Sequence, residues 1–216
     1  MKTITQSTIL LFLSAVLLLP GGSLAARNRT RLTEFFDPLV LVSSLRPVLC
    51  YDTDRNGSGY VTEEILATED RSTSWTEKYY TKSVCSAGPD KRFIFEMEYT
   101  IAPECIHVDY TLTPEARPGR VTAWGLAFQP RGLKGVRYAG RLPFRVHPYK
   151  GSGRQAARRV LLDLWQGTMH IDGVRCLEVD PARPDEILLY GNEPGQSGKE
   201  KKSPSNYKGS ITITLQ

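Results

Sequence analysis

Between Phe93 and Leu112 the side chains alternate with a period of two, and this pattern constrains the fold more than any other feature of the chain. Phe93, Phe95, Met97, Tyr99 and Ile101 alternate with Ile94, Glu96, Glu98 and Thr100, while Ile106, Val108, Tyr110 and Leu112 alternate with His107, Asp109 and Thr111. A strand turns successive side chains to opposite faces, so each half reads as a half-buried strand. Keeping both apolar sets on one face pairs Ile101 with Ile106 across a short loop containing Pro103. A slip of one residue would turn one apolar set to water, so the pattern fixes the register. Thr100 then opposes His107, Glu98 opposes Asp109, and Glu96 opposes Thr111.

Period two recurs elsewhere. Strands are predicted near residues 48–52, 59–66, 77–84, 120–128, 136–146, 186–190 and 210–215. Asp172-Gly173, between Thr168-Met-His-Ile and Val174-Arg-Cys-Leu, carries the two-residue signal of a tight hairpin that would set His170 opposite Arg175. Residues 31–46 read as a short helix or extended arm, interrupted at Pro38. One clear helix is predicted from Arg154 to Gln166, with Ala157, Leu161, Leu164 and Trp165 on one face and Gly167 as its stop. Residues 191–209, rich in Gly, Ser, Pro and Lys, read as a flexible loop. The expected architecture is α+β, mainly antiparallel β, a single domain of about nine strands over residues 26–216. A lipocalin-like β-barrel is the alternative on domain size and strand count, without the G-x-W start of that group.

The first 25 residues stand apart. Lys2, the apolar run Ile9–Leu19, Pro20-Gly-Gly and Ser23-Leu24-Ala25 follow the order of a secretory signal peptide, with cleavage expected after Ala25. An 11-residue run is too short to remain as a membrane span, which needs about 20 apolar residues. No later segment is long enough either. The expectation is a secreted protein, and in an oxidising compartment Cys50, Cys85, Cys105 and Cys176 would form two disulfides of undetermined pairing. Asn28-Arg-Thr and Asn56-Gly-Ser are sequons, so glycosylation at Asn28 and Asn56 is expected in a eukaryotic host.

The net charge of +5 conceals a division. Residues 49–115 hold 13 acids against 6 bases, whereas residues 116–162 hold 11 bases and no acid. On a strand over 136–146, Arg137, Arg141 and Arg145 would line one face at about 13 Å intervals. Lys150, Arg154, Arg158 and Arg159 extend the run, with Tyr149 and Trp165 as stacking groups. Such a stripe suits an anionic polymer, RNA or a sulfated glycan, with an extracellular or host protein as the other expected partner. The competing expectation is that folding neutralises the basic segment against the acidic one. Pro143 marks an edge strand, because it has no N–H for a central ladder.

The hairpin face supplies a second candidate. Glu96, Glu98 and His107, with Arg141 across a groove, would be the parts of a general acid-base site for phosphodiester cleavage. The ordinary alternative is the polar, solvated side of a half-exposed sheet. Asp52-Thr-Asp-Arg-Asn-Gly with Glu63 matches the ligand spacing of a calcium loop, but its flanks read as strands and a hairpin turn is expected. No zinc, nucleophile-elbow or phosphate-loop motif is present in the sequence, and no cofactor is implied. The first expectation is therefore a secreted, effector-like, non-catalytic binding protein. A ribonuclease-like hydrolase is the second.

Overall fold

A computed structural model describes residues 38–51, 62–86, 91–115, 120–140, 142, 145–151, 153–180, 183–193 and 205–215. Residues 1–25 of the expected signal peptide, Asn28, Asn56, Arg141, residues 52–61 of the calcium-like loop and residues 194–204 of the expected 191–209 loop lie outside these. A short helix, α1 (Pro38–Ser43), precedes fourteen strands among the described residues. Pro38 opens the helix rather than breaking one, since a first-turn residue needs no N–H partner.

The strands are β1 (Leu45–Tyr51), β2 (Thr62–Asp70), β3 (Glu77–Ser86), β4 (Arg92–Ile101), β5 (Cys105–Pro114), β6 (Val121–Phe128) and β7 (Leu133–Ala139). They continue with β8 (Val146–Pro148), β9 (Gln155–Ala156), β10 (Arg159–Leu164), β11 (Thr168–Asp172), β12 (Cys176–Asp180), β13 (Arg183–Tyr190) and β14 (Tyr207–Leu215). They form two open antiparallel sheets, one of five strands in the order β1-β6-β13-β12-β9 and one of nine in the order β2-β3-β4-β5-β14-β11-β10-β7-β8. The mainly antiparallel β class therefore holds. The barrel alternative does not, because β2 and β8 remain as edges of the larger sheet.

The predicted β4–β5 register is observed residue for residue, from Ile101↔Ile106 to Glu96↔Thr111. That register continues across the sheet. Ile106 pairs with Ile213, Ile213 with Ile171, Ile171 with Val160 and Val160 with Tyr138. This row on the inner face joins the apolar residues of the five-stranded sheet, such as Leu49, Leu126, Leu177 and Leu189, in one core. At about 4.8 Å per strand, five strands cannot cover nine, so the ends of the large sheet overhang. Exposure along β2 and β8 follows from this.

Three local expectations are corrected. First, residues 154–166 form β9 and β10, not a helix. Val160, Leu162 and Leu164 are buried at a period of two between β7 and β11, whereas a helical face would have buried Trp165, which is 73% exposed. The apolar cluster satisfied both periods, and the flanking strands decided between them. Second, Asp172-Gly173 is not a hairpin turn. It carries the chain from β11 in the large sheet to β12 in the small one, so His170 pairs with Leu161 and Thr214 instead of Arg175. Gly173 has φ of +90°, and a Cβ there would meet the Ser210 carbonyl oxygen at 2.3 Å. Third, 136–146 is not one strand. The chain reverses after Ala139, and β8 returns along β7 with Arg137↔Pro148 and Ala139↔Val146.

Candidate functional site

The topology places the acidic and basic segments at opposite ends of the nine-stranded sheet. Strands β2–β5, from the acidic segment, form one end, and β10, β7 and β8, from the basic segment, form the other. Each end has its own charge partners. At the acidic end Lys78 Nζ lies 2.7 Å and Arg71 Nη1 3.1 Å from the Glu98 carboxylate, and Lys82 Nζ lies 3.6 Å from Glu96. Tyr80 donates its hydroxyl to Glu96 at 2.6 Å. Hydrogen bonding from Lys78 is the main reason the pKa of Glu98 falls below the usual carboxylate value; burial opposes it and Arg71 adds to it.

The arginines of the basic segment find carboxylates further along the chain. Arg137 grips Asp163 in a bidentate pair, Nε at 2.8 Å and Nη2 at 2.5 Å. That hydrogen bond is the main reason the Asp163 pKa falls and the Arg137 pKa rises. Arg159 holds Asp172 in the same two-pronged way at 2.7 and 3.0 Å. Arg154 donates to Glu178 at 3.3 Å and lies 4.6 Å from the Tyr190 ring centre, on the five-stranded sheet. The predicted stripe is thus divided. Arg137 and Arg154 are ion-paired, Arg141 lies outside the described residues, and Arg145, Lys150 and Arg158 are exposed with no carboxylate within 4.0 Å among the described residues.

Those three exposed cations share their end of the molecule with two others. Arg131 is exposed, and Lys134 Nζ sits 4.0 Å over the ring of exposed Trp165. Gly132 between them has φ of +73°, and a Cβ there would lie 2.3 Å from the Trp165 ring, so the turn shapes this platform. Tyr149, the other expected stacking group, is half-buried. Its hydroxyl donates to the Gly153 carbonyl at 2.8 Å and accepts from the Val179 N–H at 3.2 Å. Leu142, 62% exposed, and Val146, 43% exposed, lie beside Arg145. Sequence reading did not single out Arg131 and Lys134, although both belong to the acid-free segment. The carboxylate partners Asp163, Asp172 and Glu178 had no signal, because strand neighbours across β7, β10, β11 and β12 are not encoded locally.

Of the expected acid-base cluster, Glu96 and Glu98 lie on β4 and His107 on the neighbouring β5, while Arg141 lies outside the described residues. Glu98 on β4 and Arg137 on β7 are five strand spacings apart, about 24 Å. His107 sits between them on the outer face, with Thr212 Oγ1 3.1 Å from Nδ1 and with Asp109 Oδ2 and Ser210 Oγ each 3.3 Å from Nε2. A polar row runs through it, Lys78, Thr100, His107, Thr212, Asp172 and Arg159 in register across six strands. Side-chain hydrogen bonds join His107 to Thr212 and Arg159 to Asp172 within this row.

The cysteines are dispersed as well. Cys50 and Cys176 lie in a small apolar cluster of the five-stranded sheet with Val48, Ala123, Ala127, Leu188 and Tyr190. Strands β6 and β13 intervene, which separates their backbones by at least about 14 Å, whereas a disulfide requires Cα atoms within about 7 Å. Cys85 aligns with Phe93 and Pro114, nine residues from Cys105 along β5, or about 30 Å. Neither bridge forms without moving whole strands, and the two expected disulfides are absent: Cys50, Cys85, Cys105 and Cys176 are all free thiols. Burial pushes the Cys85 and Cys176 thiols up to about 12.

The class defined by fold and surface is a two-sheet antiparallel β protein with charge divided between the ends of its larger sheet. No protein-family model and no curated protein matches the chain. Among solved structures it is similar to the Slr1438 protein from Synechocystis sp. PCC 6803, with a TM-score of 0.39 and 8% identity over 71% of this chain. The match spans 65% of that protein. No helix of the described residues is long and apolar enough to cross a membrane.

Proposed function

We propose that this is a secreted, non-catalytic binding protein whose basic end, built on β7, β8 and the β9–β10 link, holds an extracellular sulfated glycan. One observation carries the reading. Arg145, Lys150 and Arg158 remain exposed and have no carboxylate partner among the described residues, while the acidic strands β2–β5 lie at the far end of the sheet with cations of their own. Arg131 and the Lys134–Trp165 pair extend the surface. Secretion is supported by the N-terminal residue pattern. Exposed cations binding a polyanion release its condensed counterions, so affinity falls steeply with salt. An RNA of similar length serves as the comparator, because phosphate and sulfate polymers share this electrostatics.

The test is a binding isotherm of the mature protein with a heparin fragment over a range of salt. Wild type should show a steep salt slope, and the Arg145→Glu/Lys150→Glu/Arg158→Glu variant should lose most of both affinity and slope. Binding that is salt-independent or indifferent to the triple reversal contradicts the proposal. Tighter binding to RNA than to heparin would replace the glycan with a nucleic acid at the same surface.

A further inference from the structure

The two edges of the nine-stranded sheet carry matching patterns of opposite sign. On β2 the exposed apolar pair Ile65 and Leu66, 68% and 52% exposed, is flanked by Glu63 and Glu64 on one side and Glu69 and Asp70 on the other. The flanking acids are separated by about 20 Å at ~3.3 Å per residue. At the opposite edge Val146 and Leu142 are exposed, and Arg145 and Lys150 flank β8 across about 17 Å of chain on the same scale. One edge thus reads anion, apolar, anion, and the other sets Val146 between Arg145 and Lys150 with Leu142 just beyond Arg145, at comparable spacing.

We propose that the acidic β2 edge of one molecule docks on the basic β8 edge of a second copy, head to tail. The inference goes beyond the glycan reading and draws on the same exposed Arg145 and Lys150, so a second copy and a glycan would compete for this edge. Charge complementarity and the facing apolar patches select this occupant. Among the described residues Glu64 has no cation within 4.0 Å, while Glu69 is paired with Arg71 at 2.7 Å, so the Glu63–Glu64 end of β2 offers the stronger attraction. Side chains carry the contact rather than a continuous ladder. Pro148 has no N–H to give, and β2 bulges between Ile65 and Ala67, two devices that limit edge-to-edge hydrogen bonding. Because the two surfaces differ, the association is heterologous, and it adds copies until a ring closes or a filament grows.

Sedimentation velocity of the mature chain at low and high salt tests this, with two charge-reversed variants. Wild type should form species larger than a dimer at low salt and dissociate as salt rises. Glu63→Lys/Glu64→Lys removes the acidic surface, and Arg145→Glu/Lys150→Glu removes the basic one. Each alone should weaken association by ~tenfold or more, which corresponds to about 1.4 kcal/mol. Mixed together, the two variants set an intact acidic edge against an intact basic one and a reversed edge against a reversed one, so the mixture should regain the association that each variant loses alone. A carbodiimide cross-link between Glu64 and Lys150 in wild type gives a readout that does not depend on variant folding. A monomeric wild type at low salt, or association indifferent to both reversals, overturns the inference. The heparin isotherm separates the two readings. Glu63→Lys/Glu64→Lys should weaken association and keep heparin binding, whereas absence of heparin binding with intact head-to-tail assembly would refute the glycan and leave the self-contact standing.

Discussion

At the scale of single residues, electrostatics is set by which cation each carboxylate meets. Asp163 has a pKa lowered chiefly by its two hydrogen bonds from Arg137, and Glu98 is lowered chiefly by Lys78. A depressed carboxylate pKa adds stability that is complete above the unfolded value, ~4, and is lost as pH falls through the lower folded value. Urea midpoints of wild type should therefore drop below about pH 4, and Asp163→Asn should flatten part of that drop. Both partners are about one-third exposed, so the loss at neutral pH should stay near 1 kcal/mol or below. His170 has its pKa lowered first by burial and then by Arg159. Its imidazole should titrate below 6.5 by NMR, and a midpoint above that value would contradict the described surroundings. Thiol chemistry offers a third check. Cys105 is partly exposed, while Cys85 and Cys176 are buried with thiols pushed up to about 12, so native-state alkylation should label Cys105 first.

Elements were legible where the pattern had one solution. The β4–β5 hairpin had only one register that kept Phe93 to Ile101 and Ile106 to Leu112 on a common face, and the structure has that register. The segment 154–166 had two solutions, since Ala157, Leu161 and Leu164 suit a helix while Val160, Leu162 and Leu164 suit a strand. Neighbouring β7 and β11 provide ladders on both sides of β10, and no local signal announces them. Trp165 distinguishes the two outcomes experimentally. As an exposed residue after β10, Trp165→Ala should change stability by no more than about 0.5 kcal/mol, whereas Leu162→Ala, fully buried, should cost about 2 to 5 kcal/mol in a denaturant titration. A helix with Trp165 in its buried face would make the tryptophan change severe. Asp172-Gly173 failed as a hairpin for a related reason. Positive φ is equally required where a chain leaves one sheet for another, and only the partners of β12 reveal which is happening.

At the scale of the whole molecule, the order of strands determines what the sequence charge means. The division between an acidic and a basic segment was visible in the residues, but whether they meet depends on β14. This last strand inserts between β5 and β11 and holds the two segments apart at the centre of the sheet. The basic segment is then neutralised only in part, by Asp163, Asp172 and Glu178, and Arg145, Lys150 and Arg158 are left to solvent. Covalent footprinting of the mature protein with and without a heparin fragment tests this polarity most directly. The account predicts protection over 131–158, centred on Arg145, Lys150 and Arg158, with β2–β5 unchanged; protection on the acidic strands, or none at the basic end under conditions where heparin is bound, would contradict it.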